Sequence, residues 1–169
     1  MAFSRKGKVA HLKDSPESGA WGAGYTGRMN PSNIAFIGGG NMAGALIGGL
    51  LKAGRDASSI QVVEPFEAQR QRLAQQFGVV ASAAADAALS RAALVVWAVK
   101  PQLFAEAALP CAPFVGGALQ LSVMAGIRSA AIVRASGSAR VVRAMPNTPA
   151  LIGQGIAGLV ATAAVSAAE

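Results

Sequence analysis

The chain has 169 residues, 53% of them hydrophobic and only 14% charged, with 20 glycines and 5% aromatics. That excludes a mostly disordered chain and favours one α/β domain with a lean aliphatic interior. Its formal net charge of +7 is dispersed, +3 over residues 1–29 and +4 over residues 30–169, without the clustered bases and interleaved aromatics of a nucleic-acid surface.

The single cysteine, Cys111, excludes an internal disulfide, so cytoplasm is the expected compartment. The longest apolar run, residues 92–99, falls far short of the roughly 18 residues that cross a bilayer. The basic start around Arg5, Lys6 and Lys8 lacks an apolar stretch behind it and is no secretory signal.

Residues 1–29 carry turn formers such as Ser15-Pro16 and Gly22-Ala23-Gly24 with no apolar period, and are expected to be a flexible arm; if Met29 is the true start, residues 1–28 are not native. Order is expected from residue 30. A strand at 33–37 precedes a helix at 41–53, with Met42, Leu46 and Leu50 spaced by four. A strand at 60–64 leads to a helix at 67–77 whose glutamines and arginines, Arg70 and Arg72 among them, face water. A strand at 79–80, a helix at 83–89 and an apolar strand at 94–99 follow. Then come a helix opening at Pro101, a strand at 119–123, a helix at 129–135, and strands at 140–143 and 156–160. Strands alternating with helices and apolar on both faces predict a mostly parallel, doubly wound sheet of Rossmann type over residues 30–165.

The turn after the first strand reads Gly38-Gly39-Gly40-Asn41-Met42-Ala43, a GxGxxG/A pattern between a strand and a helix. Gly38 allows the tight turn, Gly40 lets the backbone approach a pyrophosphate, and Ala43 is small enough for close helix–strand packing. Glu64, at the end of the second strand, stands where such folds reach the adenosine ribose. An acid there favours NADH over NADPH, while Arg70 and Arg72 lie close enough to meet a phosphate; a merely solvated strand-end acid is the plain alternative. Three further segments follow strand ends: Ala98-Val99-Lys100-Pro101-Gln102, Ser122-Val123-Met124-Ala125-Gly126-Ile127, and Arg143-Ala144-Met145-Pro146-Asn147-Thr148-Pro149-Ala150. Pro146 and Pro149 bracket Asn147-Thr148 and exclude a helix interior or a central strand there, leaving a rigid loop. His11, the one histidine, lies in the arm, so no Ser/His/Asp set exists, and the acids after residue 29 are too scattered for a metal site. Cys111, between Pro110 and Pro113, reads as a buried small residue.

Together with Phe36-Ile37, Gly153 and Gly155, these four motifs resemble, in order, the amino-terminal domain of pyrroline-5-carboxylate reductase. The resemblance implies NADPH- or NADH-dependent reduction of the cyclic imine 1-pyrroline-5-carboxylate to L-proline, the last step of proline biosynthesis. It implies that Ile37, Gly38, Gly39, Gly40, Asn41 and Met42 hold the pyrophosphate. Ala98, Val99, Lys100 and Pro101 would flank the nicotinamide side, with Ala125 and Asn147 near the nicotinamide. No catalytic acid or base is implied, since a protonated imine is already electrophilic. Two departures matter. The family often has an asparagine where this chain has Ala85, and its members continue into a helical domain that forms a homodimer and much of the imino-acid pocket, of which residues 166–169 would be the start. Reductases of hydroxyacid or F420-linked type have a similar nucleotide half, but the Met145–Ala150 loop argues against them. A nucleotide-binding fragment without turnover is the third reading.

Overall fold

The computed structural model describes residues 9–10, 33–146, 157–166 and 169. Among the described residues eight strands form one sheet in the order β1-β8-β7-β6-β5-β2-β3-β4. They are β1 (Val9–Ala10), β2 (Asn33–Ile37), β3 (Ile60–Val63), β4 (Val80–Ser82), β5 (Ala92–Trp97), β6 (Leu119–Ser122), β7 (Val141–Pro146) and β8 (Ala157–Ala161). The helices are α1 (Asn41–Lys52), α2 (Glu67–Phe77), α3 (Phe104–Val115) and α4 (Ser129–Ser136). Strands β2 to β7 are parallel; β8 runs antiparallel to β7, and the two residues of β1, inside the expected arm, pair antiparallel to β8. Among the described residues no helix is long and apolar enough to cross a membrane.

The strand alternation of β2 divides the core in two. Ile34 and Phe36 join Ile60, Val62 and Val96 beneath Ala43 and Ile47 of α1 and Leu73 of α2. Ala35 and Ile37 join Val95 and Trp97 on the opposite face, beneath Phe104, Ala108 and Cys111 of α3 and Ile132 of α4. A sheet clothed on both faces keeps its central strands apolar throughout, which is why they show no polar alternation in the sequence.

Several expectations shift. In α1 the fully buried stripe is Ala43, Gly44 and Ile47, whereas Leu46 and Leu50 pack at its rim, because the small residues let the helix sink close to its neighbours. The helix expected at 83–89 is only a 3₁₀ turn, Ala87–Arg91. Asp86 starts it late by accepting the Ala88 N–H at 2.8 Å, and β5 begins at once behind it. α3 opens after a 3₁₀ turn, Pro101–Leu103, and runs through Pro110 and Pro113. Pro146, assigned above to a loop, ends β7, which continues past its expected end because β8 supplies a partner there. Pairing with β6 stops at Arg143, so Pro146 is paired on one side only, where a missing N–H is tolerated.

Candidate functional site

The parallel strands run β4-β3-β2-β5-β6-β7, so chain direction across the sheet reverses between β2 and β5. A crevice at the carboxyl ends of those two strands is where open α/β sheets take ligands. Gly38, just beyond β2, has φ +95°, a conformation that disfavours any side chain. A Cβ there would lie 2.9 Å from both the Ala98 carbonyl oxygen and Val99 Cγ1. The two walls of the crevice therefore touch, and the Ala98 N–H donates back to the Ile37 carbonyl at 2.9 Å.

Gly40 is the N-cap of α1, and a Cβ on it would meet nothing within 4 Å. The helix has no side-chain cap and no acid in its first turn. Its first N–H groups and positive dipole end thus face an open, exposed step of backbone, the arrangement that holds a phosphate or pyrophosphate. Asn41 is exposed and Met42 half-buried at this step, while Ala43 is fully buried against the sheet. The residues fit a dinucleotide pyrophosphate.

Glu64 is drawn inward. It is 6% exposed, so it is not a solvated strand-end acid. Its Oε2 accepts the Gly39 N–H at 2.8 Å and its Oε1 accepts the Phe66 N–H at 3.0 Å, so the carboxylate is bonded to the glycine turn. Two neighbours expected on the wet side of α2 are also drawn in. The side-chain amide of Gln69 donates to the Gly39 carbonyl, and Arg70 Nη1 donates to the carbonyls of Glu64 at 3.0 Å and Pro65 at 2.7 Å. Arg72 stays exposed. The signal for Gln69 and Arg70 was their place in the first turn of α2, five and six residues beyond Glu64, where a long polar side chain folds back over the strand end.

The other loops rise from the same edge. Ala98 and Val99 are half-buried against Gly38, and exposed Lys100 precedes Pro101 at the start of its 3₁₀ turn. After β6 the Val123 N–H donates to the Trp97 carbonyl at 3.2 Å, and Ser122 Oγ accepts the Met124 N–H at 3.2 Å. These bonds curl the chain so that Ala125 is exposed beside Gly126, whose φ is +75°. The structure thus gathers Ile37 to Met42, Ala98 to Pro101 and Ala125 along neighbouring strand ends. Asn147, with the rest of the motif through Ala150, Gly153, Gly155 and His11, lies outside the described residues.

The family described as NADP oxidoreductase, coenzyme F420-dependent, matches residues 33–126, more than half of the chain. The chain belongs to this family. The chain is also similar to pyrroline-5-carboxylate reductases. That of Pseudomonas aeruginosa is 43% identical over 143 residues, covering 83% of this chain and 52% of the relative. The structure of a pyrroline-5-carboxylate reductase from Coxiella burnetii superposes with a TM-score of 0.75 at 33% identity, covering 82% of this chain and 53% of that one. The Plasmodium falciparum pyrroline carboxylate reductase structure, which has NADP bound, shares the fold with a TM-score of 0.69 at 22% identity, over 81% of this chain and 50% of that one. The chain spans about half the length of the curated relatives it matches.

Proposed function

We propose that this chain is the nucleotide-binding half, residues 30–165, of a pyrroline-5-carboxylate reductase, and that it binds NADPH or NADH in the crevice between β2 and β5. The observation that carries the reading is the open Gly40 step at the uncapped start of α1, set at the point where the strand order reverses. Similarity to named reductases of this type at 43% and 33% identity supports the choice of substrate class. When bound, NAD(P)H supplies the hydride, which adds to the imine carbon of protonated 1-pyrroline-5-carboxylate and leaves L-proline. This chain's part is to bind and to orient. Gly38, Gly39, Gly40, Asn41 and Met42 seat the pyrophosphate, while Ala98, Val99, Lys100 and Pro101 line the nicotinamide side with Ala125 and Asn147. No side chain need move a proton. A small imino acid as substrate, self-association through the remainder of the protein, and the cytoplasm as compartment belong to the same proposal.

A second reading draws on the family's own description, an F420-linked oxidoreductase. The match to the Pseudomonas aeruginosa reductase, at 83% of the chain, runs past residue 126 where the family match stops, and that favours the imine reductase. Titration of NADH and NADPH, followed by NAD(P)H oxidation with 1-pyrroline-5-carboxylate, tests both binding and turnover. Binding with turnover supports the whole proposal; binding without it leaves a nucleotide-binding fragment and removes the activity from this chain. Gly40→Asp puts a carboxylate where the pyrophosphate sits and is expected to weaken binding at least a hundredfold, more than about 2.7 kcal/mol. Unchanged affinity refutes the assigned turn.

A further inference from the structure

The middle glycine of the turn is held at both ends of its backbone. Its N–H goes to Glu64 Oε2 at 2.8 Å and its carbonyl receives the Gln69 amide. It is also held from beneath, since a Cβ on Gly39 would lie 2.6 Å from Leu73 Cδ1 and 3.3 Å from Glu64 Cβ. The Phe66 N–H on Oε1, and Arg70 Nη1 on the carbonyls of Glu64 and Pro65, fix the carboxylate in turn. At 6% exposure, with both oxygens engaged by backbone N–H groups, Glu64 presents little carboxylate surface to a ribose. We propose that Glu64 is a positioning residue acting on the dinucleotide through the Gly39 peptide, with Gln69 as its counterpart on the carbonyl side, and that it does not select against a 2′-phosphate.

The reason lies in what the two cofactors share. The pyrophosphate is common to NADH and NADPH, so a residue that works through the pyrophosphate turn affects both by the same factor. A residue that reads the 2′-position affects one more than the other. The inference rests on the cofactor reading above.

Two measurements on Glu64→Gln test it. In the nucleotide-free protein the Gly39 amide resonance is expected to shift and its hydrogen exchange to quicken, because a charge-assisted acceptor has been weakened. In titrations the Kd values for NADH and NADPH are expected to rise together, by about tenfold and within twofold of each other. Gln69→Leu, which leaves the carboxylate in place, is expected to raise both in the same ratio; circular dichroism and the melting temperature verify that each variant is folded. Stronger NADPH binding with weaker NADH binding in Glu64→Gln would show that the acid reads the ribose and would overturn the proposal, as would an unmoved Gly39 amide or unchanged affinities. Wild-type protein that binds neither nucleotide sinks the cofactor reading and with it the role given to the clamp. The amide response in the free protein then still reports whether the contact exists.

Discussion

Gln120 is fully buried in β6 and leaves none of its polar atoms idle. Its Oε1 accepts the Trp97 indole N–H at 2.9 Å, and its Nε2 donates to the carbonyls of Val115 and Ala118 at 2.8 and 2.9 Å. Phe104 meets the same indole edge-on, with ring centroids 5.3 Å apart. Gln120→Leu preserves the volume and leaves the buried indole donor without a partner, while the Val115 carbonyl keeps the Ala118 N–H and the Ala118 carbonyl keeps the Ser138 hydroxyl, so denaturant unfolding is expected to show a loss of about 2 kcal/mol. A loss under about 1 kcal/mol would mean that the network contributes little. Cys111 is buried in α3, and desolvation pushes its thiol up to about 11. A thiol whose folded pKa exceeds its unfolded value contributes stability that is complete below about pH 9 and disappears as pH rises toward 11. The stability difference between wild type and Cys111→Ala should therefore narrow from pH 8 to pH 10.5, and a thiol reagent at pH 8 should label only unfolded protein. Neither the Gln120 network nor the inward turn of Glu64 was legible in sequence, because residue type and spacing place a side chain on an element without saying which way it points.

Among the elements, the packing of α1 on α2 turns on glycines of unlike tolerance. A Cβ on Gly44 would rest 3.5 Å from Phe77 Cε2, an ordinary contact, whereas one on Gly48 would press to 3.2 Å. Gly44→Ala gains helix propensity at no steric cost and is expected to stabilise by about 0.5–1 kcal/mol. Gly38→Ala is the counter-case. Its φ of +95° and the 2.9 Å approach to the Ala98 carbonyl predict a loss of at least about 2 kcal/mol. Thermal unfolding of the pair should move in opposite directions; parallel shifts would mean that glycine content alone matters. The special status of Gly38 was readable from its motif. Elements of strong pattern, such as α2 with its αL terminator at Gly78, were readable to the residue. The turn at Ala87–Arg91 was not, because its alanines favour a helix that Asp86 delays and β5 cuts short.

For the whole molecule, the strand order decides which loops meet. β2 and β5 lie at the centre of the sheet with both faces covered, while β8 is exposed along its described residues Gly158 to Ala161. Native-state hydrogen exchange should therefore be slowest in β2 and β5 and fastest in β8; equal protection would contradict a core centred on Phe36 and Trp97. By itself the sequence determined the alternation of strands and helices, the glycine turn and the order of the four motifs, because apolar period and turn chemistry are local properties of the chain. Only the tertiary structure decided that Gly38 bears on Ala98 and Val99, that β8 prolongs β7 through Pro146, and that Glu64 grips the turn. Each of these depends on which surfaces are brought together, and a carboxylate at the end of a strand bonds the nearest N–H groups that the fold presents to it.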